Sequence, residues 1–184
     1  TRETLFMSKH KNPEQDIDFN SLVCATVDKD NILWVGGAKG VTKCILQNET
    51  THFWSISSPT QYNSPHEIPP LVKGILTDHD KNLWIGTENG IKKITVDKQE
   101  ESYYSVGNIP QEKLNNQVLS LCEDDNGTIW AGTMSGLNIL DKRKKEYGYF
   151  SNKKEDNYLK SNQIWNMQKD AKGIIWIGTR MGLF

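Results

Sequence analysis

Cysteine and histidine are scarce in this sequence, and long apolar runs are missing. The three cysteines, Cys24, Cys44 and Cys122, are odd in number and form no close pair, so no disulfide framework or zinc ligand set is written here. They read as small apolar core residues. No apolar run approaches the roughly 18 residues that mark a membrane helix, and no charged-then-apolar leader opens the chain, which reads as starting inside a longer protein. Lys and Arg (22) balance Asp and Glu (23) to a net charge of −1 over 184 residues. Without a basic surplus, no nucleic-acid contact is expected. No metal or cofactor is expected either. The calcium-like runs at Asp28-Lys29-Asp30-Asn31 and Asp78-His79-Asp80 lack the acid needed at the twelfth loop position, where Lys39 and Asn89 stand.

What is present is repetition. "ILWVGGAKG" at 32–40 returns as "NLWIGTENG" at 82–90, "TIWAGTMSG" at 128–136 and "IIWIGTRMG" at 174–182. The tryptophans Trp34, Trp84, Trp130 and Trp176 are spaced 50, 46 and 46 apart. Gly36, Gly86, Gly132 and Gly178 follow two positions later, and Gly40, Gly90, Gly136 and Gly182 four beyond those. Asp28, Asp78, Asp124 and Asp170 stand six positions before each Trp. A period in the forties admits helical pairs or four-stranded propeller blades. Glycine-marked turns within ten residues of each other in 118–141 leave no room for an ordinary helix, so short strands are predicted. Asp-Asp-Asn-Gly at 124–127 and Asn-Gly at 89–90 are hairpin signals, the Asp capping its own turn.

The fold class is therefore all-β, a β-propeller segment of four-stranded antiparallel blades. In the third unit the predicted strands are 117–123, 128–133, 136–141 and 146–151. Along "LWIGT" both faces are apolar or small, as in a strand covered on both sides. The Trp fills the space between adjacent blades, and the Gly on the same face leaves room for a neighbour's ring or backbone. The units read as 20–56, 70–106, 116–151 and an incomplete 162–184, with an insert loop at 57–69. Residues 1–10, around Leu5-Phe6-Met7, read as the outer strand of a preceding blade. The missing and spare strands would allow a closed four-blade ring, but an arc of a wider ring is expected. Its bare edges would be covered by the remaining blades or by another copy of the chain.

The pattern Asn-x-(Val/Ile), Asp, (Gly/Asn)-x-(Leu/Ile)-Trp-x-Gly-Thr-x-x-Gly-(Leu/Ile) resembles the two-component regulator propeller repeat. That repeat is found in the periplasmic sensor region of hybrid two-component system proteins of Bacteroidetes. The match is strongest in "NQVLSLCEDDNGTIWAGTMSGLNIL" and "NQIWNMQKDAKGIIWIGTRMGL". It weakens in the first unit, where Gly37 replaces Thr and Cys24-Ala25 replace larger residues. In the second unit Pro70 replaces Asn and Lys81 the turn Gly, so a looser first hairpin is expected there. The resemblance implies an extracytoplasmic sensor that detects glycan breakdown products, with a membrane helix, a histidine kinase and a DNA-binding regulator further along the protein. The alternative is a plain scaffold for protein–protein interaction.

Candidate ligand residues lie where the repeat is broken. The loop "SISSPTQYNSPHEIPP" at 55–70, with Tyr62 and His66, reads as a binding loop or a stiff connector. Trp165, whose equivalents are Val23, Lys73 and Leu119, falls on the strand that lines a propeller channel, as a platform for a sugar ring or as a core residue between blades. Tyr158 leads into the same strand. An oligosaccharide is the ligand implied by the resemblance, and an uncharged one suits a mouth without a basic cluster. Catalysis is not expected. Lyase chemistry of the streptogramin-inactivating kind wants a His base beside acids, whereas His10, His52, His66 and His79 fall in tails, outer strands and turns.

Overall fold

The computed structural model describes residues 22–38, 40–47, 50–57, 71–88, 90–95, 100–105, 117–143, 146–150 and 163–184. They form four antiparallel sheets, each built from strands consecutive in the chain. The first sheet comprises β1 (Leu22–Val27), β2 (Leu33–Gly37), β3 (Gly40–Gln47) and β4 (Thr50–Ser57). The second comprises β5 (Gly74–Thr77), β6 (Asn82–Thr87), β7 (Gly90–Thr95) and β8 (Glu100–Ser105). The third comprises β9 (Val118–Glu123), β10 (Ile129–Thr133), β11 (Leu137–Asp141) and β12 (Glu146–Phe150). The fourth has three strands, β13 (Ile164–Lys169), β14 (Ile175–Thr179) and β15 (Gly182–Leu183). The first strands β1, β5, β9 and β13 lie side by side, so each sheet is a blade with its first strand innermost. Residues 1–10 and the loop at 58–69 lie outside the described residues.

One hydrogen-bond cluster writes the Asp-to-Trp spacing into every blade. Asp78 Oδ1 accepts from the backbone N–H of Asp80 (3.0 Å) and Asn82 (2.8 Å), while Oδ2 accepts the indole N–H of Trp84 (2.7 Å). Asp28, Asp124 and Asp170 repeat this with Trp34, Trp130 and Trp176 at 3.0, 3.1 and 3.0 Å. A single carboxylate thus closes the turn and orients the ring that follows. The turn's last residue takes positive φ, at Gly127 (79°) and Gly173 (82°), but also at Asn31 (58°) and Lys81 (64°). The second hairpin is not looser. It keeps the Lys81 N–H to Asp78 C=O bond at 3.0 Å, and Asn82 Nδ2 adds two bonds to the Asp78 carboxylate. These offset the roughly 1 kcal/mol of left-handed strain at a residue with a Cβ. Beyond the Trp, Thr87, Thr133 and Thr179 donate their hydroxyls to the carbonyls of Gly90, Gly136 and Gly182 at 2.8, 2.8 and 3.0 Å. The Gly-Thr-x-x-Gly phrase is therefore a second turn closed by its own side chain.

The core lies between blades. Trp34 packs with Val72, Ile75, Leu83 and Ile85 of the second blade, and Trp84 with Val118, Leu121 and Ile129 of the third. Trp130 packs against Ile164, Met167 and Ile177 of the fourth. The Gly after each of the first three Trp receives an aliphatic side chain from the next blade, at Gly86 with the Val118 carbonyl beside it. A Cβ on Gly36 would lie 2.8 Å from Val72 Cγ1, on Gly86 2.7 Å from Val118 Cγ1, and on Gly132 2.9 Å from Ile164 Cβ. Val72, Val118 and Ile164 are fully buried in these sockets. Burial also pushes the Cys24 and Cys44 thiols up to about 11, with a backbone hydrogen bond from Gly36 partly offsetting this at Cys24. They remain neutral core side chains.

Candidate functional site

The first strands of all four blades enclose a groove of about 840 Å³, lined by Val23–Thr26, Lys73–Thr77, Leu119–Glu123 and Trp165–Lys169. That volume is in the range of small-ligand sites, roughly 300–1,000 Å³. One row of the lining is set apart by backbone geometry. The ladder slips between Leu22 and Cys24, and between Ile164 and Asn166. It also slips opposite Gly132 and Thr133, which pair with Ser120 and Val118 and skip Leu119. In the second blade the ladder starts at Gly74, and Lys73 stands just ahead of it. A bulge takes its extra residue out of the in-and-out alternation and re-aims its side chain. Val23, Leu119 and Trp165 are the residues skipped at these bulges, and with Lys73, just ahead of its own ladder, they line the groove. Trp165 is 53% exposed there. It is a ring at the groove rather than a core residue between blades. Tyr158, Tyr62 and His66 lie outside the described residues.

At the opposite end of these strands the Asp-capped turns are joined across blades by charge. Lys81 Nζ meets Asp30 at 2.8 Å, Lys142 Nζ meets Asp78 at 3.0 Å, and Lys169 Nζ meets Asp125 at 2.8 Å. The His79 ring lies between two carboxylates, with Nδ1 2.6 Å from Glu123 and Nε2 3.0 Å from Asp80. Sequence spacing alone did not bring Glu123, 44 residues away, beside this histidine. The acidic partners are present, and each ring nitrogen faces one of them. The Asp78 carboxyl is buried, which would raise its pKa. The hydrogen bonds from Trp84, Asn82 and Lys142 outweigh that and hold it below the usual carboxylate value. Among the described residues no group of three or more His, Cys, Asp or Glu is placed to hold a metal ion.

Comparison with known proteins agrees with this architecture. A family model described as "Two component regulator propeller" matches residues 68–89, 112–135 and 158–181. The chain carries two-component regulator propeller repeats. The matched segments hold the second, third and fourth Asp-to-Trp clusters. The first blade, with Gly37 and Cys24-Ala25, falls outside them and builds the same cluster from Asp28 and Trp34.

Among solved structures, the extracellular domain of a hybrid two component system from B. thetaiotaomicron aligns with 88% of this chain and 21% of its own, at TM-score 0.68 and 24% identity. The corresponding domain of another such system from that organism aligns with 93% of this chain and 24% of its own, at TM-score 0.66 and 21% identity. Virginiamycin B lyase from Staphylococcus aureus, an enzyme, aligns with 89% of this chain and 54% of its own, at TM-score 0.59 and 14% identity. At these identities the likeness is one of fold. The chain spans less than a quarter of the two extracellular domains. No curated protein matches it in sequence.

Proposed function

We propose that the chain is the periplasmic sensor segment of a hybrid two-component histidine kinase and response regulator, detecting a glycan-derived ligand and relaying it to polysaccharide-utilisation genes. The observation that supports this most is the bulge row: in a chain of regulator propeller repeats, it turns an exposed Trp165 into a groove of ligand size. An indole face is a large, rigid platform for the apolar face of a sugar ring. Signalling then works by population shift, the ligand favouring one arrangement of domains and so biasing a kinase beyond this segment. No helix among the described residues is long and apolar enough to cross a membrane, so the crossing lies in other segments of such a protein. The segment itself binds and does not catalyse. The test is Trp165→Ala in the full-length protein. Affinity for the inducing glycan should fall roughly tenfold or more, about the 1.4 kcal/mol of one stacked aromatic contact, and reporter induction should fall with it while the melting profile is kept. Normal affinity and induction would remove Trp165 from the site.

The scaffold reading has its own observation. The far face of the fourth blade exposes Trp176 and Leu183 at 44% and 65%. An apolar patch of this kind takes a protein partner, here further blades or a second copy of the chain. Sedimentation of wild-type chain and a Trp176→Lys variant checks this, with loss of association supporting the reading.

A further inference from the structure

The bulge row differs in kind from the rest of the repeat. Two positions of the first-strand segment are dictated by a neighbouring blade: Val72, Val118 and Ile164 fill glycine sockets, and Ile75, Leu121 and Met167 pack in the clusters between blades. The bulge position answers to no such contact, and its four occupants are Val23, Lys73, Leu119 and Trp165. The side chains there differ in kind from blade to blade, from exposed Val23 and Trp165 to buried Leu119.

One of the four is a cation. Lys73 is half-buried at the groove and forms no hydrogen bond or ion pair with any described residue. The other charges on the lining, Glu123 and Lys169, sit at the far end of their strands. Glu123 is held by His79 and Lys142, and Lys169 by Asp125. Around Trp165 the groove thus offers one aromatic platform, two aliphatic side chains and one uncommitted positive charge. An ammonium with no partner among the described residues favours a ligand that brings the anion.

From this row we infer that the groove takes an acidic oligosaccharide rather than the uncharged one expected from composition, one ring stacked on Trp165 and a carboxylate or sulfate of another held by Lys73. The inference rests on the glycan-sensing reading above and names its ligand class. An oligosaccharide is required rather than a single sugar, because the third blade and its Leu119 stand between the two residues.

The experiment is titration calorimetry on the full-length protein with size-matched probes: oligogalacturonate and chondroitin sulfate oligosaccharides as acids, and xylo- and cello-oligosaccharides as neutral controls. An acidic probe should bind at least about tenfold more tightly than the neutral ones, and more weakly as salt rises. Lys73→Met should erase that preference without changing the melting profile, since Lys73 bonds none of the described residues. Lys73→Arg should keep it. If neutral probes bind as tightly as acidic ones, or Lys73→Met binds the acids like wild type, the acidic inference falls and the glycan reading stands. If neither class binds, both fall together.

Discussion

Trp84 and Trp176 occupy the same position of the same phrase, each making the same hydrogen bond to its own blade's Asp. Their surroundings could hardly differ more, since Trp84 is fully buried against the third blade while Trp176 is 44% exposed. Gly86 is a socket filled by Val118, whereas a Cβ on Gly178 would meet only Asn166 O, at an ordinary 3.5 Å. The local motif therefore builds a turn and presents a ring, and the neighbouring blade turns that ring into core. Repetition of sequence is not repetition of energy.

The largest expected effect tests this directly. Trp84→Ala should cost about 3–5 kcal/mol, the range for a buried aromatic truncation, whereas Trp176→Ala should cost under about 1 kcal/mol in the isolated chain. Urea midpoints of the two variants check it, and equal losses would mean that the fourth blade's face is covered in solution.

The glycine sockets sharpen the same contrast at smaller scale. Gly132→Ala drives a methyl into Ile164 and Ser120 and should cost about 1–3 kcal/mol as overpacking. Gly178→Ala should change stability by no more than about 0.5 kcal/mol.

Acid titration compares the two aspartates beneath these rings. Asp78 and Asp170 both titrate below the ordinary value. At Asp78 burial opposes the shift and is outweighed by its hydrogen bonds, while at Asp170 the bond from Trp176 leads. A depressed folded-state pKa means stabilisation that is present above the unfolded value of about 3.9 and is lost as pH falls through the folded one. Below pH 4 the second blade should therefore lose stability as Asp78 is protonated, while protonation of Asp170 should leave the core unmoved. NMR of the Trp84 and Trp176 indole N–H signals across that window distinguishes the two.

The smallest effect concerns Lys81. Lys81→Gly relieves its positive φ but adds backbone freedom to the unfolded chain and removes the exposed pair with Asp30. The net change should stay within about 1 kcal/mol, measured by thermal melting.

Much of the fold was legible in residue order, because turns and strand alternation are local physics. The Asp-to-Trp interval and the glycine positions set hairpins and strand lengths, and the third blade's strands fall within one residue of the ranges read from its sequence. The substitution of Lys81 for glycine misled, because sequence shows the strain of a Cβ at positive φ and not the Asn82 bonds that hold the turn. The Glu123 partner of His79 was invisible for a related reason: it stands a full repeat away, and only stacking brings it near.

The sequence by itself determined a repeating four-stranded unit, its turns, and the side chain with which each unit meets its neighbour, since all of these act within a few residues. The tertiary structure alone decided which copies of one motif are core and which are surface. It also decided that bulges, unmarked by any turn residue, would bring Val23, Leu119 and Trp165 beside Lys73 in a shared groove. Burial and convergence are properties of the stack, and a strand carries no record of what is packed against it.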